Sequence, residues 1–161
     1  MKPLTTCLWF DSEAEEAARF YVSIFEDSKL GEITHYGKEG HEIHGRAEGS
    51  VMTVAFRIRG QDFVGLNGGP QFKFDEAISF QIFCDSQAEV DRFWESLGAN
   101  GGKPGPCGWI KDRFGLSWQV IPNRLFELMK DKDRVKAGRA MNAMLKMGKI
   151  DIAALERAAA G

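Results

Sequence analysis

Cysteine is scarce in this chain. Cys7, Cys84 and Cys107 are its three thiols, an odd number at unrelated spacings. That excludes a disulfide framework and makes a reduced, cytoplasmic thiol set the expectation. Long apolar runs are also missing: no eighteen consecutive apolar residues exist to cross a membrane as a helix. The opening residues MKPLTTCLWFD have no apolar core of a signal peptide, so no secretory leader is expected. A basic excess is lacking too. The net charge is −2, which disfavours nucleic acid as a partner. Only Arg124 to Lys149 is locally basic, with eight Lys/Arg against three Asp/Glu, and this stretch reads as a solvated helix face.

What is present suits a globular protein. A chain of 161 residues makes one compact domain or two small packed halves. Such a length buries about 70% of the surface of its unfolded chain, enough for a core. Twelve Phe residues suggest an aromatic-lined interior or cavity.

Two stretches nearly repeat each other 74 positions apart: DSEAEEAARFYVSIF from Asp11 and DSQAEVDRFWESLG from Asp85. Each sets Ser three residues before Glu (Ser12 with Glu15, Ser86 with Glu89), the capping-box pattern that satisfies free N–H groups at a helix start. Apolar residues then follow at helical spacing: Ala14, Ala17, Tyr21, Ile24 in one, Val90, Phe93, Trp94, Leu97 in the other. Both are expected to be amphipathic helices.

Strand-length runs of β-branched and aromatic residues precede each helix, LTTCLWF and ISFQIFC. EITHYG, SVMTVAFRIRG and DFVGLNG follow the first helix, and Met52, Val54, Phe56 and Ile58 alternate as on a half-buried strand. CGWIK and LSWQVI, joined by the turn DRFG, follow the second, with a further short strand near Gly98–Lys103 weakened by glycine. Each half thus reads strand–helix–strand–strand–strand, and duplication of one unit explains the pattern. After Pro122 there is no strand signal. Good helix formers and the stripe Met141, Met144, Leu145, Met147 predict two or three short helices, packed on the sheet or on a second subunit. Residues 1–122 therefore form the duplicated domain, with modules of about 1–70 and 75–122, and 123–161 form a helical tail.

The stretches TTCLWFDSEAEEAARFYVSIF, SVMTVAFRIRGQDFVGLNGGPQFKF, ISFQIFCDSQAEVDRFWESL and CGWIKDRFGLSWQVIP resemble the PhnB-like branch of the vicinal oxygen chelate superfamily. That superfamily includes glyoxalase I, bleomycin-resistance proteins and extradiol dioxygenases, and the branch is also labelled 3-demethylubiquinone-9 3-methyltransferase-like. The resemblance implies an α+β fold of duplicated βαβββ modules forming a curved mixed sheet around a cavity, with a homodimer as the usual assembly.

Metal-using relatives place His, Gln or Glu ligands at cavity-facing strand positions. By resemblance those positions fall on Thr6, Asn67, Ser79 and Gln119. Hydroxyls and neutral amides, with no imidazole or carboxylate, are a poor set for a dication, so no metal cofactor is expected. His41 and His44, with His35 nearby, lie in the glycine-rich THYGKEGHEIHG and read as an exposed hairpin or loop rather than a ligand cluster. Asn67, Gln81 and Gln119 sit among apolar neighbours. They either point into the cavity or hydrogen-bond each other and the backbone. Trp109 and Lys111 share a strand face, where Lys111 is either a cation for an anionic ligand or a surface residue. Cys107 has no His near it in sequence that would make it a nucleophile.

A Rossmann-type methyltransferase needs a glycine loop between an early strand and its helix to cradle the cofactor. The early strand here runs into DSEAEEAAR, so that activity is rejected. Two functions remain open. One is a metal-free small-molecule binder, as in the bleomycin-resistance proteins. The other is a metal-assisted or acid–base enzyme acting on a vicinal-oxygen substrate. A protein-binding tail is a third, weaker option.

Overall fold

A computed structural model describes residues 4–161, so the first three positions of the expected 1–122 domain lie outside the described residues. The chain divides into two units, Met1–Lys73 and Phe74–Gly161.

The first unit runs β1 (Thr6–Phe10), α1 (Ala14–Ile24), β2 (Ser28–His35), α2 (His41–His44), β3 (Val51–Ile58) and β4 (Gln61–Asn67). Its mixed sheet has the order β1-β4-β3-β2, with β1 and β4 parallel and the other pairs antiparallel. Alternation divides its faces. Leu8, Phe10, Val54, Phe56 and Phe63 are buried on the side that takes α1, where the Tyr21 ring lies 6.1 Å from that of Phe56. Small residues bring the helix close: Ala14, Ala17 and Ala18 are fully buried.

The second unit repeats the plan with β5 (Ser79–Cys84), α3 (Gln87–Gly98), β6 (Lys103–Pro104), β7 (Trp109–Lys111) and β8 (Ser117–Pro122). A 3-10 turn, Ala99–Gly101, follows α3. The sheet order is β5-β8-β7-β6, again with the first pair parallel. Val90, Phe93 and Leu97 of α3 are buried with Ile82, Ile110, Trp118 and Val120 of the sheet. The expected fold class is what the structure shows: α+β, two βαβββ modules, and terminal helices α4 (Asn123–Met129), α5 (Arg134–Met144) and α6 (Ile152–Ala160).

Those three helices belong to the second unit. Their core gathers Leu125, Leu128, Ala140, Ile150, Leu155 and Ala159 around Ile121, at the end of β8. Asp133 and Asp151 cap α5 and α6 by accepting backbone N–H groups of the first turn. Gln87, the first residue of α3, holds the segment before α6: its Nε2 donates to Ile150 O (3.1 Å), and its Oε1 accepts from Ile152 N (2.9 Å). Met147 O and Gly148 O accept from the N–H groups of Cys107 and Gly108. The tail thereby fixes the loop between β6 and β7. Gly108 in that loop has φ of +80°, and a Cβ there would stand 2.7 Å from Val120 O, so only glycine fits.

Capping differs between the modules. Ser86 accepts from Glu89 N (3.2 Å), and Glu89 Oε2 accepts from the N–H of Asp85, the residue before the cap (2.7 Å), a variant of the box. Ser12 and Glu15 form no such box. The α1 N-cap is Glu13, without a side-chain cap bond of its own. Instead Asn67, at the end of β4, accepts from Ala14 N at 2.8 Å.

Candidate functional site

Cross-strand register brings five of the expected site residues onto one face of the second sheet. Gln81 pairs with Gln119, which pairs with Trp109 across β7. Two residues along, Ser79 pairs with Ser117, and Ser117 with Lys111. Because side chains alternate, these residues stand opposite the α3-covered side. A hydrogen-bonded chain links three of them: Gln81 Nε2 donates to Gln119 Oε1 (3.3 Å), and Gln119 Nε2 donates to Ser79 Oγ (2.8 Å). The two glutamines do hydrogen-bond each other, and they do so on the open face.

Beside this row lies a cleft of about 440 Å³ lined by Trp109, Pro104, Pro106, Lys103, Lys111 and Ser117, with Glu76 at its margin. Lys111 Nζ is 2.6 Å from Glu76 Oε1. The hydrogen bond from Lys111 is the main reason the Glu76 carboxyl is held below the usual carboxylate range. Ser117 is 1% exposed, and its Oγ has no hydrogen-bond partner among the described residues. A buried hydroxyl without a partner costs free energy.

Thr6 and Asn67 are not part of this face. Thr6 shares the α1-facing side of the first sheet with Leu8 and Phe10, and its Oγ1 accepts from Gln61 Nε2 (3.3 Å). By the 74-residue spacing the counterpart of Ser79 is Thr5, one step along, and one step reverses the face. Asn67 is 5% exposed and its amide is engaged, Oδ1 with Ala14 N and Nδ2 with Val51 O (3.1 Å). Its backbone oxygen accepts from Tyr36 Oη (2.7 Å). The metal positions implied by the resemblance thus hold two amides with partners, two hydroxyls, and no imidazole or carboxylate. That donor set does not fit a divalent ion.

The histidines do not assemble either. His44 Nδ1 accepts from Arg46 N (3.0 Å), which leaves its Nε2, 3.1 Å from Glu39 O, as the protonated nitrogen. Its ring lies 4.6 Å from that of Tyr36, tilted by 33°. Among the described residues no group of three or more His, Cys, Asp or Glu is placed to hold a metal.

The first module carries a matching cleft of about 350 Å³ on its own open face, lined in part by Lys29, Gly31, Ala55, Arg57 and Asp62. Register makes the two correspond. Lys29 faces Arg57, which faces Asp62, and Lys103 faces Lys111, which faces Ser117. Arg57 clamps Asp62 through two hydrogen bonds, Nη2 to Oδ2 at 2.7 Å and Nε to Oδ1, raising its own pKa and lowering that of Asp62. Glu76, Lys103 and Ser117 were missed in the sequence. The 74-residue step from Lys29 to Lys103 is the one signal that points to this corner.

Comparison with known proteins places this geometry in context. The family model described as 3-demethylubiquinone-9 3-methyltransferase matches residues 2–121. Among solved structures, the PhnB protein of Bacillus cereus is 29% identical at a TM-score of 0.64, covering 75% of this chain and 99% of its own. A Pseudomonas aeruginosa protein aligns at 19% identity and a TM-score of 0.60, covering 76% and 98%. The genomically encoded fosfomycin resistance protein of Listeria monocytogenes aligns at 17% identity and a TM-score of 0.52, covering 81% and 98%, a likeness of fold alone. Among curated proteins nothing matches.

Proposed function

The chain belongs to the family described as 3-demethylubiquinone-9 3-methyltransferase, a branch of the vicinal oxygen chelate superfamily, and from that premise we propose that it binds a small, partly aromatic molecule in the cleft of its second module. One observation carries the reading: the buried Ser117 hydroxyl without a partner lines a cleft that also holds the Trp109 ring and a lysine. An apolar wall with a few convergent polar groups is the common design of a small-molecule site. Gln81, Gln119 and Ser79 extend the polar side of that face.

Methyl transfer is not part of the proposal. The connection Asp11–Glu13 between β1 and α1 carries no glycine, and each sheet is mixed rather than doubly wound, so the glycine loop of a Rossmann-type cofactor site has no counterpart there. Cys7, Cys84 and Cys107, all outside any disulfide, are consistent with a cytoplasmic protein, and no helix of the described residues is long and apolar enough to cross a membrane. A homodimer is part of the same reading, as the resemblance to the family implies.

The test is a ligand-observed magnetic resonance screen of an aromatic fragment library against the native protein and Trp109→Ala. Aromatic fragments bind the native protein and lose contact in the variant. If the same fragments bind both proteins equally, the cleft is not the site.

A further inference from the structure

The two modules treat equivalent cations differently. In the first, the partner of Arg57 is built into the strand pair: Asp62 faces it directly and is clamped by two bonds. In the second, the position corresponding to Asp62 is Ser117, which carries no charge. Lys111 therefore takes its carboxylate from outside the sheet, from Glu76 in the turn before β5, whose side chain is 63% exposed. An exposed ion pair on a turn contributes little net stability and is readily exchanged.

Resting on the small-molecule reading of this cleft, we infer that Glu76 is a resident counter-ion that the carboxylate of an aromatic ligand displaces from Lys111, with its second oxygen accepting from the Ser117 hydroxyl. The donor count matches: one ammonium and one free hydroxyl, on register partners of adjacent strands, for the two oxygens of one carboxylate. Charge balance matches as well, since one monoanion replaces another beside Lys111. The aromatic body lies against Trp109 and the prolines of the loop that Met147 and Gly148 hold in place. No comparable exchange exists in the first module, where the Arg57–Asp62 clamp is closed within the sheet.

Calorimetric titration of naphthoate, naphthol and naphthyl phosphate into the full chain and its Glu76→Gln and Lys111→Gln variants tests this. Glu76→Gln tightens naphthoate binding up to about fivefold by removing the competitor. Lys111→Gln weakens it about tenfold or more. Naphthol, which has no anionic group, responds to neither change. Unchanged or weaker naphthoate binding in Glu76→Gln overturns the exchange while leaving the cleft's function standing, provided naphthol still binds. A gain confined to naphthyl phosphate overturns the carboxylate assignment. If neither naphthoate nor naphthol binds any of the three proteins, the small-molecule reading itself falls, and the exchange falls with it.

Discussion

The side-chain oxygen of Asn67 accepts the backbone N–H of Ala14 at 2.8 Å, so the first helix is capped from the end of a strand 53 residues away. The same amide donates to Val51 O, which ties the cap to β3 as well. Asn67→Ala removes both bonds inside a buried site and is expected to destabilise the protein by about 2–3 kcal/mol. Ser86→Ala, which removes the local cap of the second helix, costs about 1 kcal/mol. Ser12→Ala stays within about 0.5 kcal/mol, despite its matching place in the repeat. Urea unfolding of the three variants ranks them. Equal losses for Ser12→Ala and Asn67→Ala would refute the long-range cap.

That asymmetry shows what was legible in the sequence. The repeat at 74 residues, with its periodicities of two and 3.6, was sufficient to read both βαβββ modules and the helical tail, because those patterns depend on local burial. The Ser12 box was not what it resembled. Its competitor, Asn67, lies in another element and is invisible to any local motif. Thr6 fell on the wrong face for a related reason: alternation makes a one-residue shift reverse every side chain. Ser79, Gln81 and Gln119 were legible as one face because they lie on strands paired in register. Glu76 was not, since it comes from a turn and meets Lys111 only through the fold.

Asp112 opens the turn between β7 and β8 and is 2% exposed. Its Oδ1 accepts from Phe114 N (2.9 Å) and Leu116 N (3.1 Å), and its Oδ2 from Trp118 Nε1 (2.9 Å). The carboxylate thus sets the turn and fixes the indole that fills the core beneath β8. Asp112→Ala leaves several buried donors without partners and is expected to cost about 2–4 kcal/mol. Near-ultraviolet circular dichroism, sensitive to the Trp118 environment, reports the loss alongside the shift in urea midpoint. A variant with native stability and an unchanged spectrum would contradict this role.

Lys149 Nζ lies 2.6 Å from Asp91 Oδ1 and links the segment before α6 to α3. The hydrogen bond from Lys149, followed by that from Gln87, pulls the Asp91 carboxyl below its ordinary value of 3.8. Its contribution to stability is therefore present above that value and is lost as pH falls through the lowered pKa. Lys149 is raised above 10.5, chiefly by the hydrogen bond to Asp91, so its share is present below that value and fades as pH rises through the raised one. Lys149→Met should lower the urea midpoint slightly at neutral pH, and the gap from the native protein should close in acid. A gap that persists unchanged when Asp91 is protonated would assign the effect to packing of the lysine stem instead.

Ser117→Ala separates stability from binding. The native hydroxyl is buried without a partner among the described residues, so removing it relieves a desolvated polar group. The variant is expected to be as stable as the native protein, or more stable by about 1–2 kcal/mol. A hydroxyl kept only by packing would show that gain and nothing else. If it is instead the second donor to a bound carboxylate, naphthoate affinity falls about tenfold while naphthol affinity does not change. Thermal unfolding and titration on the same preparation give both values. Opposite signs, greater stability with weaker anion binding, are the signature of a polar group retained at a cost to the fold because a ligand uses it. Loss of stability with unchanged binding would make Ser117 an ordinary core residue.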